Sequence, residues 1–380
     1  MNGGWVPLHP TGWATTFTSD AGGLLLGGIQ PNNLGRSIRT LIDQAGRGDL
    51  LAIMVPLIED DITVDGILRA QKRGARVQII TRLAEHRDGQ VRWITTGEKT
   101  GEHLELHARA TRILTQGRIQ IRSPNCVPHA KYVLVSNTGI IFSSANLAGN
   151  ALGDGHNRSI EVGVHLAEAI ALDGWSRTFS ALWRSCAYAQ HLHGTLVSVQ
   201  SIPLPQKQHL GLIGLPPFIG GLELWWSCPR EHNGLHDNLV KRVETAEQSL
   251  LFVALSFYDL DRIPLLMKSL LKALQRGVKV TAVVRPEQFT RDQYPDPSTR
   301  RLIDAGLQLL GVTGLHAKGF LIDDCFCGLS SANFNPYSLG TTGVASNMEM
   351  AICGNGDKDP LRPIVWFLKT IRDKATHHFR

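Results

Sequence analysis

The 380-residue sequence lacks the features that mark several protein classes. No stretch approaches the roughly twenty uninterrupted apolar residues that a membrane-spanning helix needs. The opening MNGGWVPLHPTGWATTF has no basic segment followed by an apolar run, so no secretory leader is read there. Cysteine is sparse. Cys126, Cys186, Cys228, Cys325, Cys327 and Cys353 fall without the paired spacing of a zinc site or a disulfide framework. These absences point to a reduced, cytoplasmic protein. An apolar fraction of 43% is enough for a core and excludes a disordered chain. The net charge of +6 favours an anionic partner, but does not separate nucleic acid from an acidic lipid surface.

What the sequence does contain is a repeat. Residues 128–147 read PHAKYVLVSNTGIIFSSANL and residues 314–335 read GLHAKGFLIDDCFCGLSSANFN. His129, Lys131, Ser144 and Asn146 of the first match His316, Lys318, Ser331 and Asn333 of the second, position for position. In an extended strand, residues two apart leave on the same face, so each copy is expected to present an imidazole and an ammonium together. A neighbouring strand adds a hydroxyl and an amide. That set suits a phosphoryl group, with donors for its oxygens and a nitrogen nucleophile or proton donor for its chemistry.

The duplication is wider than the motif. DLLAIMVPLI (49–58) and SLLFVALSF (249–257) read as strands buried on both faces. Helices are expected over 62–73 and 263–276, each stopped by a glycine (Gly74, Gly277), with strands following over 75–82 and 278–285. Strand, helix, strand is a βαβ unit with a right-handed crossover. Further helices are expected over 34–45, 167–189 and 361–375, where Trp175 and Trp183 fall at core spacing. Polar stretches precede each motif (HRDGQ, RDQYPDPSTRR) and are read as loops over the site. Arg109, Arg112, Arg118 and Arg122 precede the first copy, and Arg285, Arg291, Arg300 and Arg301 the second; Arg122 and Arg285 are the candidates for substrate contact. Two histidine pairs four apart, His103 with His107 and His232 with His236, lack a third ligand for a metal. Trp225–Trp226 lies in a Pro- and Gly-rich connection and is expected to be buried rather than to stack on bases.

The two motifs resemble that of the phospholipase D superfamily, H-x-K, four residues, D, six residues, G-S-x-N. Ser143 and Ser330 stand where the family has glycine, and Ser136 stands in the first copy for the aspartate that is Asp323 in the second. An odd separation from His316 turns Asp323 away from the His–Lys face, into a supporting role. The resemblance implies two α/β lobes with mixed central sheets, related by a pseudo-twofold axis, so that one chain completes one active site. The expected division is an extension over 1–30, a first lobe over 31–195, a linker over 196–230 and a second lobe over 231–380. Glu161 and Glu349, on strands after each motif, are implied to hold the catalytic imidazoles, with Asn157 and Asn347 at the substrate rim. The implied chemistry needs no metal or cofactor. One histidine (His129, by resemblance) forms a phosphohistidine and His316 acts as acid, while Lys131, Lys318, Asn146, Asn333, Ser144 and Ser331 donate to the phosphoryl oxygens. Basic charge and the missing membrane segment favour a nuclease acting on DNA or RNA in defence or repair, with a helicase or ATPase as protein partner. The alternative is a phospholipase D or phosphatidyl transferase, for which LGLIGLPPFIGG (210–221) would supply an apolar rim.

Overall fold

The computed structural model describes residues 5–7, 24–29, 32–87, 90–93, 102–153, 158–190, 196–198, 218–228, 232–288, 295–340, 347–357 and 361–379. Asn157 and Arg291 lie outside them.

Two large mixed sheets repeat one strand order. In the first, Leu50–Met54 is central, with Arg76–Ile80 and then Gln120–Ser123 parallel on one side. On its other side Tyr132–Val135, Gly139–Ser143, Glu161–Leu166 and Leu24–Gly27 follow antiparallel. In the second, Ser249–Val253 takes the centre, with Lys279–Val284 and Gln308–Gly311 parallel. Gly319–Ile322, Phe326–Ser330, Asn347–Asn355 and Leu222–Ser227 run on antiparallel. All five residues of Leu50–Met54 are buried, as a strand covered on both faces requires.

The burial pattern is layered. Outer faces pack on amphipathic helices: Leu34–Gln44 and Asp61–Lys72 cover the first sheet, Gly234–Thr245 and Pro264–Gln275 the second. The inner faces share one core with helices Ala169–Ser185 and Arg362–Asp373, containing Trp175 and Phe179 from one half and Phe367 and Leu368 from the other. Asp60 caps Asp61–Lys72 by accepting the Thr63 N–H, and the stops at Gly74 and Gly277 have φ of +96° and +86°.

The lobe boundaries differ from the sequence expectation. Leu24–Gly27 is an edge strand of the first sheet, and Trp5–Pro7 pairs with His377–Phe379 at the edge of the second, so these described segments of the expected extension are parts of the two sheets. Leu196–Ser198 belongs to the first sheet, and Phe218–Ile219 with Leu222–Ser227 to the second, so the described ends of the expected linker are strands of the two sheets. Unpaired sheet edges expose backbone groups, and these short segments cover them. Trp225 is buried and stacks on Phe320 and Phe326, 5.5 and 5.6 Å between centroids. The stretch before the first motif forms a hairpin, Ala84–Arg87 with Gln90–Trp93, and helix Glu102–Gln116.

Candidate active site

The H-x-K segments are not within regular strands. Each lies just before one, and its backbone is bonded to the opposite half. Val127–Pro128 pairs parallel with Asn347–Met348, and the His129 and Ala130 N–H groups both donate to the Met348 carbonyl. Reciprocally, the His316 and Ala317 N–H groups donate to the Ile160 carbonyl. These equivalent contacts, made in both directions, are what a pseudo-twofold relation between the halves demands.

The carboxylate next in chain after each of those carbonyls therefore meets the other half's histidine. His316 Nδ1 lies 2.5 Å from Glu161 Oε1, and His129 Nδ1 lies 2.9 Å from both Glu349 oxygens. Neither glutamate serves the histidine of its own half. Both carboxylates are fully buried, while the histidine side chains keep 18% of their surface exposed. A carboxylate on Nδ1 fixes the tautomer and leaves Nε2 for chemistry.

Lys131 and Lys318 are each 1% exposed. Each ammonium donates back to the carbonyl of its own motif histidine at 2.6 Å. Burial pushes Lys131 down to about 7, with the charge of Lys318 adding to the effect. Burial takes Lys318 down to about 8 against the pull of Glu161 and Glu349. Burial likewise lowers His129 to about 4, although Glu349 opposes it, and lowers His316 although Glu161 does. Burial would raise Glu349, but His129, Lys131 and Ser331 outweigh it and hold the carboxyl near 2. Glu161 is lowered in the same way, chiefly by His316. Each lysine feels the opposite half's groups, so the repeats form one electrostatic cluster.

The serines play a different part from the one expected. Ser144 and Ser331 are fully buried, and their hydroxyls donate to Glu161 and Glu349 rather than standing open as phosphoryl donors. Their oxygens also accept the Val162 and Met350 N–H groups, each at 3.0 Å. A buried carboxylate is the strongest acceptor in reach, and the hydroxyl goes to it. Asn146 and Asn333 each keep a buried Oδ1 acceptor with no hydrogen-bond partner among the described residues.

Asn347 is not a free rim residue: its amide donates to Glu349 Oε1 at 3.1 Å. Arg122 donates to the Trp183 carbonyl and lies over that ring, and Arg285 pairs with Glu287 at 3.6 Å; neither hydrogen-bonds the His–Lys–Glu cluster. Asp323, at φ +50°, accepts the N–H groups of Glu247, Gln248 and Ser249 and anchors the start of the central strand. Those bonds hold its carboxyl below the ordinary range against the opposing effect of burial. Ser136 fills the same place in the first half, accepting the Leu50 N–H at 3.0 Å.

The other histidine pairs do not converge. His107 Nδ1 accepts the Ile58 N–H and its Nε2 meets the Arg82 carbonyl, whereas His103 pairs with Glu59. His232 stacks on Trp226 and His236 bonds Asp237.

A family model described as "Cardiolipin synthase, PLD-like domain" matches residues 38–183 and 239–359, more than half of the chain. No curated protein matches in sequence. Among solved structures, phosphatidylserine synthase of Haemophilus influenzae Rd KW20 superposes with a TM-score of 0.65 at 12% identity, over 95% of this chain and 88% of that one. Polyphosphate kinase of Porphyromonas gingivalis does so with a TM-score of 0.56 at 15% identity, over 93% of this chain and 47% of that one. At such identities the likeness establishes the shared fold. The doubled motif and the family match lead to one conclusion: the chain belongs to the phospholipase D superfamily, whose members act as phosphodiesterases and transferases.

Proposed function

We propose that this chain acts on phospholipids, transferring a phosphatidyl group to an alcohol or to water through a phosphohistidine. The observation that carries a phosphoryl reaction is the pair of buried ammoniums. Each has one hydrogen-bond partner among the described residues, a backbone carbonyl, so a doubly bonded phosphoryl anion between them would satisfy both. Its charge would also restore protonation of Lys131 and of one histidine.

One neutral imidazole attacks phosphorus through Nε2 as the bond to the leaving oxygen breaks, and the other gives its Nε2 proton to that oxygen. The second then takes the proton of the incoming hydroxyl, whose oxygen attacks phosphorus and breaks the P–N bond. Lys131, Lys318, Asn146 and Asn333 stabilise the non-bridging oxygens, while Ser144 and Ser331 hold the glutamates.

Two points support lipid over nucleic acid, the reading that basic charge and the missing membrane segment favoured. The matching family model is described by a lipid synthase, and the chain follows a phosphatidylserine synthase over nearly its whole length. Apolar side chains are also exposed at Ile62 (56%) and Leu265 (55%), in the first turns of the helices that follow the two central strands, and at Tyr337 (48%), just beyond Asn333. Of the stretch LGLIGLPPFIGG anticipated as an apolar rim, residues 210–217 lie outside the described residues, and Phe218, Ile219 and Gly220 border a groove beside Leu50 and Arg76, at the opposite strand ends. No helix among the described residues is long and apolar enough to cross a membrane, so substrate would be met at a bilayer surface.

The test is incubation of purified protein in EDTA with phosphatidylcholine–phosphatidylglycerol vesicles plus glycerol, and in parallel with single- and double-stranded DNA and RNA. Headgroup exchange or phosphatidic acid release, lost in His129→Ala, supports the proposal. Nucleic-acid cleavage lost in the same variant, with lipids untouched, would replace it.

A further inference from the structure

The site is nearly twofold, yet its two histidines must do opposite things. One is neutral and attacks; the other holds a proton for the leaving group. The carboxylates that serve them are not equivalent. Glu161 gives one oxygen to His316 at 2.5 Å and the other to the Ser144 hydroxyl. Glu349 meets His129 with both oxygens at 2.9 Å, accepts the Ser331 hydroxyl, and accepts an additional donor, the Asn347 amide at 3.1 Å. The position matching Asn347 is Ser159, two residues before Glu161, and no hydrogen bond joins it to that carboxylate.

We infer that Asn347 is a positioning residue that breaks the equivalence of the two halves: by drawing charge from Glu349 it keeps His129 the neutral imidazole and leaves His316 to hold the proton. The physical cause is competition. Each added donor makes a carboxylate a weaker acceptor for the imidazolium, and an undivided, shorter contact makes it a stronger one. The remaining charges do not discriminate. Lys131 and Lys318 act on both rings, and among the described residues the carboxylate acting on each is the one already named. Burial holds His129 down to about 4, in line with a ring that is ready to attack. The assignment gives the reaction a direction: His129 Nε2 forms the P–N bond, the leaving oxygen takes the His316 proton, and His316 later accepts the proton of the incoming hydroxyl.

The inference rests on the phosphoryl-transfer reading for its meaning, but its test needs no substrate. The ring signals of His129 and His316 in the full-length 15N-histidine-labelled protein are assigned by their loss in His129→Ala and His316→Ala, then followed against pH. Asn347→Ala should raise the His129 midpoint by about half to one pH unit and leave His316 in place. Asn347→Gln, which keeps the amide, should restore much of the wild-type value. Asn347→Asp adds a second carboxylate and should raise the His129 midpoint further, a check that remains if the alanine variant folds poorly. A His129 midpoint that does not move, or two midpoints that move together, overturns the inference. Inactivity toward every phosphodiester would instead count against the proposed function and leave the titration result standing.

Discussion

Replacing Lys131 by methionine should abolish turnover and yet make the protein more stable at low pH. The lysine is 1% exposed, and its proton is held so weakly that the group titrates near 7 rather than at its ordinary 10.5. The unfolded chain keeps that proton up to the ordinary value. Between the two the unfolded state binds more protons, so wild-type stability must rise with pH across that window. Below it the buried charge costs on the order of 5 kcal/mol. Methionine keeps the stem and removes the charge, at the cost of the hydrogen bond to the His129 carbonyl, about 2 kcal/mol. The net gain at pH 6 is on the order of 3 kcal/mol, a rise of roughly 5 °C in melting temperature. The advantage should fade toward pH 10 as the wild-type lysine loses its proton. Melting curves of both proteins at pH 6, 8 and 10 decide it. A variant less stable than wild type at pH 6, by the same margin as at pH 10, would refute the reasoning.

Other outcomes follow from the same geometry. His129→Ala and His316→Ala should each lower turnover in EDTA by at least about a thousandfold, measured on whichever phosphodiester proves to be the substrate; a chelator-sensitive residual activity would contradict the two-histidine chemistry. Glu161→Gln should lower the His316 titration midpoint, in the other half of the chain, and spare His129; the reverse pattern would mean that the carboxylates do not cross. Asp323→Ala frees three backbone N–H groups and should cost about 1–3 kcal/mol in urea unfolding while folded protein keeps its turnover within a few-fold. A large loss of turnover at unchanged stability would place Asp323 in the chemistry instead.

Much of this structure was legible in the sequence because it was written twice. QKRGARVQIITR and LQRGVKVTAVVR fix the same helix end, glycine stop and strand in each half, and the matched motifs locate the histidines, lysines, serines and asparagines. The crossing of the carboxylates was not legible. Nearly equal spacing from histidine to glutamate in the two halves, 32 and 33 positions, is compatible with either partner, and the backbone bonds from His129 to Met348 and from His316 to Ile160 decide it. The serines were misread because a spacing rule gives the face of a side chain but not its strongest neighbour, here a buried carboxylate. The edge segments were misread for a related reason. Trp5–Pro7 and Leu24–Gly27 have little periodicity of their own and become strands only by covering an open sheet edge. Asn347 carried a signal, its place two residues before Glu349 on a strand, but its acceptor is that glutamate and not substrate.

The central claim is that two halves build one phosphoryl site, and counting bound oxyanions by isothermal titration with tungstate tests it most directly. One anion per chain should bind, and Lys131→Met and Lys318→Met should each remove it entirely. Two independent anions per chain, or one surviving when either lysine alone is replaced, would contradict the account.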